Sequence, residues 1–407
     1  MTGPCLAAKP VGDTIPRCRP RPPGHQRMSR LFQLQENCLR AMGHSDDVDI
    51  TEHRALGLKH ISSLLFVISA QYPLISYVVY NRNDMEKVTA CLSVVLTNML
   101  TVIKITTFLA NRRIFWEMIC LFRNMDEQSS QREETHYVAE ANKLASFLGK
   151  AYCLSCGLTG IYFMLGPIVK IVGSSWQGTT YDRELPMPMK FPFNDLGSPG
   201  YEICFLYTIL VTVVVVAYAS AVDGLFISFA INLRAHFQTL HWKIANEEFA
   251  LSEKQSQARL KRIVDYHVLL IFLSRKLRAI YTPTVFGQFV ITSLQVGVII
   301  YQLVTNMDSV MDLLLYASFF GSIMLQLFIY CYGGEIIKAE SLQIDIAVQL
   351  SNWYLASPNL RRSLSIIILQ SQKEVLIRAG FFVASLANFV GICRTALSLI
   401  TLIKSIE

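Results

Sequence analysis

Leu210–Ala221 reads LVTVVVVAYASA, twelve consecutive residues without a charge. The run lies inside a longer apolar stretch over 201–230. Crossing a hydrocarbon core of about 30 Å takes about 20 helical residues at a rise of about 1.5 Å each, so this stretch is long enough to span a membrane. Working outward, comparable stretches occupy 57–80, 88–109, 145–172, 284–305, 310–332 and 381–404. Any one of them is compatible with a buried helix of a soluble protein. Seven are not, because a single core would have to hide them all. A spanning β-barrel needs strict alternation in segments of about ten residues, and these stretches neither alternate nor stop that soon. The sequence therefore predicts an all-α membrane protein with seven transmembrane helices.

The basic residues between the stretches set an orientation. Residues 1–56 carry eight Lys and Arg, and the loops after the second, fourth and sixth stretches carry five, nine and five. The opposite side has only Arg82, Lys87, Arg183 and Lys190. Cytoplasmic loops carry the excess of Lys and Arg, so 27 against four predicts a cytoplasmic N-terminus and an extracellular C-terminus. A G-protein-coupled receptor has the reverse arrangement.

With 52% hydrophobic and 16% charged residues, the net charge of +7 is accounted for by these inner loops. No basic stripe is interleaved with aromatics, so no nucleic-acid partner is expected. Of ten Cys, Cys91, Cys153, Cys156, Cys204, Cys331 and Cys393 fall within spans and the outer loops have none, which predicts no extracellular disulfide framework. Residues 1–27, with IPRCRPRPPGHQR at 15–27, lack the apolar core of a signal peptide and read as a disordered tail. From Met28 onward, Leu31, Leu34, Cys38 and Met42 predict a short amphipathic helix at the inner membrane surface. Two inner segments are too long for simple loops. In 231–283, Leu233, Phe237, Leu240 and Ile244 and then Leu260, Ile263, Leu270, Leu273 and Leu277 make one apolar helical face; 333–380 is similar, with Ile336, Leu342, Ile346, Val348 and Leu350 leading to Trp353. They predict a cytoplasmic helical bundle extending from the spans.

No catalytic motif, phosphate-binding loop, metal-ligand cluster or cofactor signature occurs, so no enzyme, cofactor or metal site is expected. Charges within spans are costly and face a cavity, a pore or each other. Lys104 and Lys150, close to the inner edges of their spans, are read as snorkelling. Asp223 is read as a structural partner of an inner-bundle Lys or Arg. Without internal repeats a transporter is disfavoured. In the last span Gly391, Thr395, Ser398, Leu402 and Ser405 are spaced 4, 3, 4 and 3, a helical stripe of small and hydroxyl residues ending beside Leu402 and Ile406. Such a stripe suits a wet pore with an apolar gate, and equally suits close helix packing.

The C-terminal third resembles the insect odorant receptors: YCYGGEII (Tyr330–Ile337), SNWY (Ser351–Tyr354), RRSLSIIILQSQK (Arg361–Lys373), AGFFVASLANF (Ala379–Phe389) and RTALSLITLIKS (Arg394–Ser405). The loop LPMPMKFPFNDLGSPGYE (Leu185–Glu202) is similar to that family's as well. The resemblance runs over about 28–407; residues 1–27 have no counterpart and read as an extension from an upstream start codon. It implies a plasma-membrane, ligand-gated, non-selective cation channel in dendrites of olfactory neurons, in which a variable odour-binding subunit forms a heterotetramer with a shared co-receptor. Lacking the co-receptor's long insertion, the chain resembles a variable subunit. The resemblance assigns ligand binding to 57–230 with spans five and six at 284–332, and the pore to 381–407. It puts Leu402 and Ile406 at gate positions, Thr395 and Ser398 along the pore, and Ser405 where the co-receptor has Gln. For a small volatile ligand it implies a pocket in the outer half, where depth selects Tyr316, Phe319, Phe320, Thr159, Tyr162, Phe163, Tyr207, Val211, Val94 and Asn98. A gustatory-type channel and a metabotropic receptor are the alternatives.

Overall fold

The computed structural model describes residues 31–44, 58–130, 135–177, 185–193, 195, 197–247, 253–306 and 309–406. The expected disordered tail at 1–27 lies outside them. A short α1 (Gln33–Ala41) precedes a first span broken at Ala70 into α2 (Leu58–Ser69) and α3 (Gln71–Tyr80). Then come α4 (Met85–Ala110), α5 (Arg112–Ser130), α6 (Thr135–Gln177), α7 (Gly200–Ala245), α8 (Glu253–Thr305) and α9 (Val310–Leu342). After α10 (Ile344–Leu350), a 3-10 turn (Trp353–Leu355) and α11 (Pro358–Ser371), a two-stranded hairpin of β1 (Arg378–Ala379) and β2 (Phe382–Val383) leads into α12 (Leu386–Ile406).

The 46 and 53 residues of α7 and α8 make rods of about 70 and 80 Å at about 1.5 Å per residue, more than twice the hydrocarbon thickness. Each therefore continues beyond the bilayer. The expected apolar faces are buried there: Leu233, Phe237, Leu240 and Ile244 on α7, and Leu260, Ile263, Leu270, Leu273 and Leu277 on α8.

Among the described residues, six helices are long and apolar enough to cross a membrane, and a shorter apolar helix spans Leu386–Leu402. The last span thus begins later than the 381 read from hydropathy. Gly380 adopts φ +60°, a left-handed conformation that L side chains rarely take, and turns the chain between the two strands. The first turn of α12 is then held by Glu335 of α9, whose Oε2 accepts from the Leu386 N–H at 3.1 Å. A carboxylate at this end complements the helix dipole.

Between apolar helices in lipid, polar side chains supply specificity that hydrophobicity cannot. Gln288, Gln295 and Gln302 recur every seven residues along α8. Gln295 Nε2 donates to Thr97 Oγ1 at 2.8 Å and Gln302 Nε2 to Thr89 Oγ1 at 2.6 Å, fastening α8 to α4. Gln288 Nε2 donates to Gln326 Oε1 of α9 at 3.0 Å.

The N-terminal helix differs from expectation. Its polar side is not solvated: α1 packs against α7 and α6, with Gln35, Glu36 and Leu39 buried. Glu36 Oε1 lies 2.6 Å from Arg123 Nη2 on α5, and Gln35 Nε2 donates to Ser228 Oγ at 3.4 Å. Gly149 and Gly224 face Gln35 and leave room for its amide. Amphipathic spacing marked the helix; its buried polar face was decided by partners on other helices.

Candidate functional site

Residues from α4, α6, α7, α8 and α9 enclose a cavity of about 100 Å³. A single buried water needs about 10–15 Å³ on the same measure, so the space suits a small organic molecule. Its walls are largely apolar, with Val94, Leu100, Val215 and Ile323 among them, and the aromatic pair Phe163 and Phe319 closes one side with rings edge to face, centroids 5.8 Å apart. The loop before α7 reaches over it and contributes Met187. That loop is pinned by Lys190 N–H donating to Pro73 O at 2.9 Å and by the Lys190–Asp195 pair at 2.8 Å. Burial alone would raise the Asp195 carboxyl. The Lys190 ammonium and the Phe191 N–H outweigh it and hold the group below the ordinary carboxylate range.

At the end of the cavity nearer the long helical extensions lies a charged cluster. Lys104 Nζ donates to Asp223 Oδ2 at 2.7 Å, and both side chains are almost wholly buried. Tyr152 OH and Gln326 Nε2 reach the same oxygen at 2.6 and 2.7 Å, while Tyr330 OH donates to Oδ1 at 2.6 Å. Four helices thus meet on one carboxylate. Lys104, Tyr152 and Gln326 also line the cavity. Lys104 is therefore not snorkelling. Its ammonium turns inward because Asp223 stands across from it, and an unpaired charge at this depth costs several kcal/mol. Asp223 pairs within the membrane bundle rather than with an inner-loop cation. Lys150, by contrast, is exposed.

Of the residues selected by depth, Val94, Asn98, Thr159, Phe163 and Phe319 line the cavity together. The other five do not. Tyr316 and Phe320 pack on the apolar cluster of Val296, Ile299 and Ile300, which Phe319 also joins, without themselves reaching the cavity. Tyr207 hydrogen-bonds Ser69 at 2.7 Å and meets Phe66 and Phe191 edge to face, Val211 is buried in the main core, and Tyr162 is half-buried outside the lining. Helix rotation about its axis decides this, and depth does not encode it. Sequence reasoning missed Lys104, Tyr152, Gln295 and Gln326 as lining residues. The available signals were two opposite charges within spans and the seven-residue repeat of glutamines.

On α12, Thr395, Ser398 and Leu402 are exposed, Leu402 to 55%. Ala396 is buried against α8 and α9, with Ile392, Leu399 and Ile400 packed around it. The hydroxyl stripe thus faces away from the chain's own bundle. The side chains of Ser405 and Ile406 lie outside the described residues. Among the described residues no group of His, Cys, Asp and Glu is placed to hold a metal.

A largely apolar cavity inside a multi-pass helical bundle, with one face of the last helix exposed, fits a membrane receptor. A family profile described as 7tm Odorant receptor matches residues 84–397. Odorant receptor 82a of Drosophila melanogaster is 83% identical over 385 residues, 93% of this chain and 100% of that protein. Odorant receptor 47a of the same fly is 28% identical over 392 residues, covering 93% and 100%. In fold the chain is similar to the insect olfactory receptor OR5 from Machilis hrabei, solved in complex with eugenol, with a TM-score of 0.73 over 92% of this chain and 98% of that one at 16% identity. The chain belongs to the insect odorant receptor family. It is a multi-pass membrane receptor of the ligand-gated channel kind and not an enzyme, and the gustatory alternative is set aside.

Proposed function

We propose that this chain is the odour-binding subunit of a non-selective cation channel, that a small volatile occupies the cavity among α4, α6, α7, α8 and α9, and that α12 lines the pore. The cavity carries the reading. It is concave, mostly apolar and built by five helices, the form expected of a site for a small ligand. The stripe of Thr395, Ser398 and Leu402 on α12 is exposed, which fits a helix facing an ion path shared with other subunits. With Leu402 as an apolar constriction beside hydroxyls, the closed pore excludes ions by dewetting. Partner subunits are copies of a shared co-receptor, and the long extensions of α7, α8 and α9 with α10 and α11 form the cytoplasmic assembly region at 231–283 and 333–380. The lysine and arginine asymmetry supports a cytoplasmic N-terminus. The complex resides in the dendritic membrane of olfactory neurons.

Co-expression with the co-receptor, with membrane current read against an odorant panel, tests the assignment. Odorant-gated current that requires both subunits is expected. Current from the co-receptor alone, unchanged by this chain, refutes it. A tag after Glu407 should be labelled on intact cells and one before Met28 should not; the opposite labelling refutes the orientation.

A further inference from the structure

We propose that Asn98 is the specificity-determining residue of the cavity, and that its amide donates a hydrogen bond to an acceptor oxygen of the ligand, so that the receptor selects apolar odorants carrying a carbonyl. This rests on the assignment of the cavity as the odour site and adds the chemistry by which it discriminates.

Asn98 is 98% removed from solvent and lines the cavity, yet its Nδ2 has no partner in the protein. The other polar groups of the wall are used internally. The hydroxyls of Thr97, Thr101 and Thr212 each donate to the carbonyl one turn back in their own helices. Thr159 does the same and also reaches Ser318 O. Tyr152 and Gln326 donate to Asp223. A buried amide N–H without an acceptor is rare and costs about 1–3 kcal/mol. Gln295 Oε1 lacks a partner too, but its Nε2 is already engaged by Ser93 O and Thr97 Oγ1, so among the described lining atoms the unpartnered donor is Asn98 Nδ2. The missing group is therefore an acceptor. An anion does not suit the surroundings: the Lys104 ammonium is already neutralised by Asp223 at 2.7 Å, and the remaining lining is mostly apolar. A neutral carbonyl on an otherwise apolar skeleton meets both requirements. The hydrocarbon part fills the space beside Phe163 and Phe319, and the oxygen lies toward α4.

The test compares medium-chain ketones and aldehydes, each paired with the alkene in which a =CH2 group replaces the carbonyl oxygen, on channels containing the parent chain, Asn98→Leu or Asn98→Asp. Leu keeps the branching pattern at a larger volume and removes the donor. Asp keeps the shape but offers only acceptors when ionised. Currents are normalised to the response to a co-receptor agonist, which reports assembled channels. In the parent, carbonyl compounds are expected to act at about tenfold lower concentration than their hydrocarbon partners, equivalent to about 1.4 kcal/mol. In both variants the carbonyl compounds lose about that factor while the hydrocarbons keep theirs, so the preference collapses. Equal potency within pairs in the parent, or an equal shift of both members in the variants, overturns the role of Asn98. A parent channel that answers the co-receptor agonist and no odorant of any class counts instead against the cavity as the odour site, so the two failures are distinguishable.

Discussion

Replacing Asp223 with asparagine leaves the Lys104 ammonium buried at 1% exposure with no counter-charge. The structure indicates how much that matters. The carboxylate accepts from Lys104, Tyr152, Gln326 and Tyr330 at 2.6–2.7 Å, joining α4, α6, α7 and α9. Hydrogen bonds to a charged group contribute about 1.5–3 kcal/mol each, and removing one partner of a buried ion pair costs about 3–5 kcal/mol because the other charge is stranded. An insertion-scale cost of about 2.5–3.5 kcal/mol for a lone lysine at mid-membrane is of the same size. A loss of about 3–5 kcal/mol lowers the folded-to-unfolded ratio by roughly two to three and a half orders of magnitude. Asp223→Asn and Lys104→Met should therefore each sharply reduce the amount of receptor at the cell surface and its thermal midpoint in detergent, read by fluorescence-detected gel filtration of the tagged complex. The double substitution Lys104→Met with Asp223→Leu removes both charges together and should recover much of the loss, since a buried pair and its apolar replacement are often close in free energy. The non-additivity is the signature of direct coupling. If each single variant behaves like the parent, or the double variant is as unstable as the two losses summed, the pair does not hold these helices together.

Phe319→Ala should weaken odorant sensitivity by about 5- to 150-fold, the loss of one buried aromatic contact of about 1–3 kcal/mol, whereas Tyr316→Ala should alter stability more than ligand response because its ring packs outside the cavity; equal shifts in dose–response curves would place the ligand elsewhere. Leu402→Ser should raise current without ligand or change permeability ratios, only in part because other subunits keep their own apolar gates, while Leu399→Ser, whose side chain packs on α8 and α9, should act through expression; the reverse pattern would put the pore on the other face of α12. Gly334→Ala should abolish surface expression or gating, because a Cβ there runs into the carbonyl of Ala384 in the turn that enters α12; normal currents would show that this contact yields at little cost.

What this chain's sequence determined by itself is the part governed by one-dimensional rules. Seven apolar stretches and the separation of Lys and Arg follow from the cost of placing polar groups in hydrocarbon, which acts on each segment independently. The helical extensions beyond the spans were legible from the spacing of Leu233, Phe237, Leu240 and Ile244, since a 3.6-residue period is local. The family was legible from Tyr330–Ile337 and Arg394–Ser405. Tertiary structure alone decided which faces meet. Lys104 and Asp223 are 119 residues apart; each taken singly is a charge near the end of a span, and only the rotation of α4 against α7 makes them a pair. Asn98 and Phe319 lie in the cavity and Tyr316 does not, although Tyr316 and Phe319 are one turn apart on α9, because a helix turns about 100° per residue and the neighbours' packing sets its zero. Gln35 and Glu36 are polar residues on a short helix that the sequence places at a surface; a bonding serine, an arginine and two facing glycines on other helices bury them. Side chains that owe their burial to partners far along the chain carry no mark of it in their own neighbourhood.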